Sequence, residues 1–220
     1  MAFAAGCTQK LPNYPPAYRE YAYVTNGKSN TVSVLDMRNY KAIATIAVGI
    51  NPTGVTANSQ KNEIYVVNAG SNSLSVIDAE QNKVVATIGL EQNPYFVDVS
   101  PDGTRAYVGN AKSNSVSVLD LGGRRVLKNV AVGRSPGIVR VSSDGKTVLA
   151  VERLGNSVSV LDAQMNVRSS VPVCLEPTYA EILPDSEKAF VTCSGSAQIA
   201  VIALNASSGN DKPQTTRAES

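Results

Sequence analysis

Short runs of alternating or β-branched residues, four to seven long, follow one another along the chain, each closed by a cluster of Gly, Asn, Pro, Ser or Asp. That pattern predicts short strands joined by tight turns. Phe96-Val97-Asp98-Val99 reads as one strand, and Ser100-Pro101-Asp102-Gly103 or Ser142-Ser143-Asp144-Gly145 as the turn out of it. A second strand follows, then Asn-rich turns such as Asn26-Gly27-Lys28-Ser29-Asn30 and Asn68-Ala69-Gly70-Ser71-Asn72. In the third strand, Val32-Ser33-Val34 places branched apolar side chains on one face and a small hydroxyl on the other, which suits a sheet packed closely on both sides. An Asp ends that strand, and Ala44-Thr45-Ile46 or Ala86-Thr87-Ile88 forms a fourth.

The pattern repeats in register. Tyr23-Val24-Thr25-Asn26 returns at 65–68 and 107–110, then altered at 149–152 and 190–193, at spacings of 42, 42, 42 and 41 residues. Ser33-Val34-Leu35-Asp36 returns at 75–78, 117–120 and 159–162, with an eroded copy at 200–203. Pro52, Pro94, Pro136 and Pro177 mark a third anchor in the same step. Four strands per unit of this length is the blade of a β-propeller, an all-β fold of four-stranded antiparallel blades.

The Tyr-Val-Thr-Asn and Ser-Val-Leu-Asp segments and the Gly-x-x-Pro turn at 49–52 resemble the repeat of the bacterial and archaeal YVTN β-propeller family, over about residues 21–204. The resemblance implies an architecture of typically seven blades. It also implies a surface-layer-type, periplasmic or lipoprotein-anchored protein, in a family without one shared activity. The chain departs from that architecture in length. It holds three strands of a first unit, three full units and three strands of a fifth, 18 in all and about four and a half blades. Seven blades at this period need about 290 residues. An incomplete or open ring is expected, with unpaired edges that favour self-association. Only residues 11–18 or 205–220 could supply the missing strands, and neither has a strong strand pattern.

Composition narrows the chemistry. The chain has no His, which removes the commonest general base and metal ligand and every Ser-His-Asp or Cys-His constellation. No catalytic, metal or cofactor site is expected, and the chain is read as a non-enzyme. A net charge of +2 and 5% aromatic residues speak against nucleic-acid binding, which needs a basic groove with stacking rings. No apolar run approaches the roughly 20 residues of a membrane-spanning helix.

Residues 1–18 read as a lipobox-like segment and tether: Ala4-Ala5-Gly6-Cys7 has the form of a lipoprotein cleavage site, with Cys7 the lipidated residue, although no charged and apolar leader precedes it. Residues 19–204 carry the repeats, and residues 205–220 read as a polar, disordered tail. Cys174 takes the repeat position of Gly133, and Cys193 that of Asn26, Asn68 and Asn110. Both substitutions fall near one rim of one unit, so the two are either a disulfide or a pair of small buried residues that never join.

Functional residues are sought where the units differ. Four residues after each anchor proline, on the innermost strand, stand Thr56, Asp98, Arg140 and Glu181, expected to line the central channel either as mutual ion pairs or as a ligand site. The turns on one face carry Asn51, Gln92, Asn93, Arg134 and Glu176, with Lys28, Lys112 and Arg153 from the neighbouring turns and Tyr95 and Tyr179 close by. This is either a binding rim or a solvated one. The recurrent Asp36, Asp78, Asp120 and Asp162 read as turn-closing side chains. The leading expectation is an extracytoplasmic binding or scaffold module, in the periplasm or on the cell surface, lipid-anchored through Cys7, whose partner is a protein, peptide or cell-wall polymer. The alternatives are a catalytic or redox-associated propeller of lactonase-like or quinoprotein-associated type, or a binder of single-stranded nucleic acid.

Overall fold

A computed structural model of the chain describes residues 20–204 and the strand at 215–218. These residues form nineteen strands in five antiparallel sheets, each built from consecutive strands. Blade 1 has three: β1 (Tyr21–Asn26), β2 (Thr31–Asp36) and β3 (Lys41–Ala47). Blade 2 is β4 (Pro52–Asn58), β5 (Glu63–Asn68), β6 (Ser73–Asp78) and β7 (Lys83–Gly89). Blade 3 is β8 (Pro94–Val99), β9 (Arg105–Asn110), β10 (Ser115–Asp120) and β11 (Arg125–Ala131). Blade 4 is β12 (Pro136–Val141), β13 (Thr147–Glu152), β14 (Ser157–Asp162) and β15 (Val167–Pro172). Blade 5 is β16 (Pro177–Ile182), β17 (Lys188–Cys193), β18 (Gln198–Ala203) and β19 (Thr215–Ala218).

The four turn aspartates close the turns after β2, β6, β10 and β14. Asp36 accepts from the Arg38 N–H, Asp78 from Glu80 and Gln81, Asp120 from Gly122 and Gly123, and Asp162 from Asn166. Those backbone donors hold the carboxyls of Asp36, Asp120 and Asp162 below the usual range.

Each pair of adjacent blades buries one core. Val32, Val34 and Ile46 meet Ile64, Val66 and Ile77 between blades 1 and 2. Tyr65, Leu74 and Val76 meet Val97, Val108 and Leu119 between blades 2 and 3. Val116 and Val118 meet Val148, Ala150 and Leu161, and Val158 and Val160 meet Val191 and Ile202. Each such side chain, once fully buried, contributes about 1.5–3 kcal/mol. The arrangement stops at both ends, so the described blades make an open arc. Val24 is 45% exposed where its counterpart Val66 is wholly covered, and Ile199 is 43% exposed where Leu74 is wholly covered.

One expectation is corrected. Residues 215–218 pair antiparallel with β18, from Ile199↔Ala218 to Ile202↔Thr215, so part of the tail supplies the fourth strand of blade 5. The free edge of β18 offers a ready ladder of backbone donors and acceptors, which four residues without marked periodicity suffice to occupy. Residues 1–19, including Cys7 and the lipobox-like segment, lie outside the described residues.

Neighbouring blades are clasped by an asparagine. Asn30, Asn72, Asn114 and Asn156 adopt φ of 58°, 51°, 53° and 53° at the end of the turn between second and third strands. Each side-chain oxygen accepts, at 2.9 Å, from the backbone N–H of Asn51, Asn93, Ser135 or Glu176 in the link to the next blade. The same link residues return their carbonyls to Ala69, Ala111, Arg153 and Ser194 of that next blade. Asparagine suits the position because it tolerates the left-handed region and carries a short acceptor.

A second contact joins the link to the end of the second strand. Asn68 and Asn110 are fully buried and donate to Ser75 and Ser117, the serines of the second repeat anchor, at 3.0 and 2.8 Å. Blade 4 has Glu152 instead, also fully buried, which accepts from Ser157, Ser159 and, at 2.7 Å, the Gly133 N–H. A Cβ at Gly133 would stand 2.1 Å from the Glu152 carboxylate, so this glycine is required by its neighbour. Unit 3 inverts the arrangement, with Glu91 at the glycine position, bonded to Ser115, beside Asn110. In blade 5, Cys174 and Cys193 hold these two positions and form a disulfide, with Cα atoms 5.7 Å apart.

Two outcomes follow. Gly133→Glu should cost about 2–4 kcal/mol through overpacking and a second buried carboxylate. Adding Glu152→Asn should recover most of that loss by recreating the Glu91–Asn110 pair, as read from urea midpoints; no recovery would contradict the equivalence of the two sites. Replacing Cys174 and Cys193 by serine opens a cross-link between residues 19 apart, and should lower stability by about 2–4 kcal/mol in the same measurement.

Candidate functional site

Two places gather residues that the repeat does not require. The first is the channel. Arg140 of β12 lies 3.9 Å from Asp98 Oδ2 on β8 and 3.4 Å from Glu181 Oε2 on β16. The three meet because they hold one repeat position on adjacent inner strands. The guanidinium also lies over the rings of Phe96 and Tyr179, at 5.1 and 4.8 Å from their centroids. It donates to the Tyr179 hydroxyl and, at 3.2 Å, to the Ala180 carbonyl. Asp98 accepts from the Val99 and Val141 N–H groups, each at 3.0 Å. Burial pushes its carboxyl above the usual range, against the pull of Val141 N–H and Arg140. Thr56, at the equivalent position in blade 2, is half-buried and takes no part in these ion pairs.

Tyr179 therefore belongs to the channel and not to the outer rim. It stands two residues before Glu181 and so points to the same side of β16, whereas Tyr95 follows its proline directly and points to the rim.

The second place is that rim. A groove of about 620 Å³ runs over blades 3 to 5, lined by Asn93, Tyr95, Lys112, Arg134, Arg153 and the apolar Ile138, Leu154 and Pro177. A smaller, polar hollow lined by Asn51, Asn72, Gln92, Asn93 and Lys112 adjoins it, sharing Asn93 and Lys112. Arg153 pairs with Glu176 at 3.5 Å. Neither the Lys112 nor the Arg134 side chain has a polar partner among the described residues. Asn51 and Asn93 serve the fold, since their N–H groups are the ones clasped by Asn30 and Asn72. Lys28, in the turn of blade 1, borders neither hollow.

Sequence reasoning missed Leu154, Ile138 and Gly137 of the groove, and Phe96 of the channel. Leu154 left a signal, as a leucine at the turn position held by Lys28, Gly70 and Lys112; it is 54% exposed. Gly137 left none, because its effect is to leave room beside Tyr95, whose ring atom Cδ1 lies 3.5 Å from where a Cβ would stand.

Among the described residues no group of three or more Cys, Asp or Glu side chains could hold a metal ion, and no helix is long and apolar enough to cross a membrane.

Consecutive antiparallel blades, stacked face to face about a channel with their variable residues on one rim, define the class of this protein: it is a β-propeller. It belongs to the YNCE-like beta-propeller family, which matches residues 14–142. No curated protein sequence matches it. Among solved structures it is similar to hydrazine synthase of Kuenenia stuttgartiensis, with a TM-score of 0.81 and 24% identity over 90% of this chain and 62% of that one. A functionally unknown protein of Desulfotomaculum acetoxidans gives 0.75 at 16% identity, over 88% of this chain and 64% of that one. A protein of Bacteroides uniformis provisionally assigned as a 6-phosphogluconolactonase gives 0.72 at 16% identity, over 88% and 68%. The chain thus spans less than two thirds of the first two. At these identities the likeness is one of fold, and fold alone does not carry activity.

The channel cluster makes a signed prediction. Arg140→Met should destabilise the protein by about 1–3 kcal/mol at neutral pH, where the Asp98 carboxyl loses its cationic partner. Asp98 has a raised pKa, so the cost of its burial is present above that pKa and is relieved as the pH falls through it and the carboxyl takes up a proton. The difference between wild type and variant should therefore shrink in acid. Urea melts of both at neutral pH and at about pH 4 check this; a difference that does not change with pH would assign it to ring packing alone.

Proposed function

We propose that this protein is a non-enzymatic binding propeller that works outside the cytoplasm, taking its partner, a protein, peptide or cell-wall polymer, on the rim of blades 3 to 5. The observation that carries this reading is the groove itself. It combines an apolar floor with two cations, Lys112 and Arg134, that the fold leaves unpaired among its described residues. Those cations are not needed by the repeat, because Gly70 and Leu175 stand at the same positions in other units. The charged groups of the channel, in contrast, pair with one another and with backbone donors and aromatic rings. The Cys174–Cys193 disulfide is compatible with an oxidising compartment. Lipidation of Cys7 would add a membrane tether to the same picture.

The test is equilibrium binding of the purified protein to separated envelope proteins and cell-wall polymer, beside an oligonucleotide control and a lactonase and esterase screen. The expected result is saturable binding to one envelope class that Arg134→Leu weakens about tenfold. Turnover that Asp98→Asn abolishes, or binding confined to the oligonucleotide, would replace this reading by a catalytic or a nucleic-acid one.

A further inference from the structure

We infer that the groove recognises an acidic peptide segment carrying an apolar or aromatic side chain, with carboxylates on Arg134 and Lys112 and the apolar group against Tyr95, Ile138 and Leu154; this rests on the binding reading above. The chemistry of the lining selects the ligand. Tyr95 and Leu154 are 48% and 54% exposed, and Ile138 and Pro177 complete an apolar surface beside them. An apolar floor of this kind has nothing to offer a polyphosphate, whereas a peptide supplies both an apolar side chain for it and carboxylates for the cations beside it. Cations without partners among the described residues at the same place select carboxylates on that peptide, since a charge-assisted bond is made without first breaking an internal pair.

The shape agrees. Lys112 and Asn93 border both the amphipathic groove and the polar hollow, so an extended chain can lay one side group in each. The repeat shows how the groove is opened. Thr53, Tyr95, Gly137 and Thr178 share one repeat position, directly after the anchor proline. Blade 3 fills it with the tyrosine that forms the wall, and blade 4 empties it with the glycine beside that ring.

The repeat also supplies variants that the fold already accepts: Gly137→Thr as in blades 2 and 5, Arg134→Leu as at Leu175, and Lys112→Gly as at Gly70. The chain has no tryptophan, so the emission of a peptide with one indole is read without protein background. The probe is a short end-blocked peptide of aspartate and glutamate around one tryptophan, beside a twin in which every carboxylate is an amide. The acidic peptide should bind, its twin about tenfold more weakly, and Arg134→Leu and Lys112→Gly should each lower affinity for the acidic peptide alone by a similar factor. Gly137→Thr should weaken both. Thermal melts confirm that the variants stay folded.

Equal binding of the two peptides, both lost in Gly137→Thr, would overturn the acidic specificity while leaving the groove a binding site. Displacement of the probe by inorganic phosphate at equal concentration would overturn the peptide in favour of a phosphate-bearing ligand. Binding of the acidic peptide that none of the three variants changes, or no binding at all, would overturn the inference. The envelope-binding measurement then decides separately whether the protein is a binding module.

Discussion

The arc depends on a side chain in a conformation that most residues avoid. An asparagine at positive φ ends the turn before the third strand of the repeat unit, and its side-chain oxygen takes up the N–H of the residue just before the next anchor proline. The link is thereby fixed between two turns, one from each blade, and the following inner strand starts at a set distance and angle. The same bond recurs at each link that precedes an apolar blade interface. Blade 5 has Ala197 at this position, still at φ 49°, without a side-chain acceptor to offer.

The link and the end of the second strand form a place where the units differ while keeping one contact. Glycine against asparagine, glutamate against asparagine, glycine against glutamate and cystine are four solutions to one small volume under the rim. Asn68 and Asn110 leave their Oδ1 atoms without a partner, while the longer Glu152 reaches across to a backbone donor. What is kept across the four pairs is the contact between link and strand end, while volume and hydrogen bonding differ from pair to pair. Changes at the rim above, where Arg134 and Leu175 stand next to Gly133 and Cys174, ride on this buried pair.

Strand order, blade boundaries and the turn role of Asp36 and its equivalents could be read from the chain, because three anchors recur in one register and each has a local physical cause. The Arg140 ion pairs could be read for the same reason, as equal repeat positions on adjacent inner strands must meet. Other features depend on the space between units, which a repeat alignment does not show. The stacking of Phe96 and Tyr179 on Arg140 requires two side chains from different blades to converge. The opening beside Gly137 is a missing atom, and an absence has no periodicity. The last strand of blade 5 is chosen by the vacant edge of β18 more than by its own four residues.

The cystine has a mechanical consequence. In a stack where each blade touches only its neighbours, unravelling begins at an end and passes from blade to blade. Fraying that starts at β19 can peel β18 away, but it then reaches Cys193, tied to Cys174 on the far side of β16 and β17. The two inner strands of blade 5, β16 with its groove residue Pro177 and β17, are enclosed in a covalent loop, which acts as a stop ahead of the blade that carries Arg153 and Leu154.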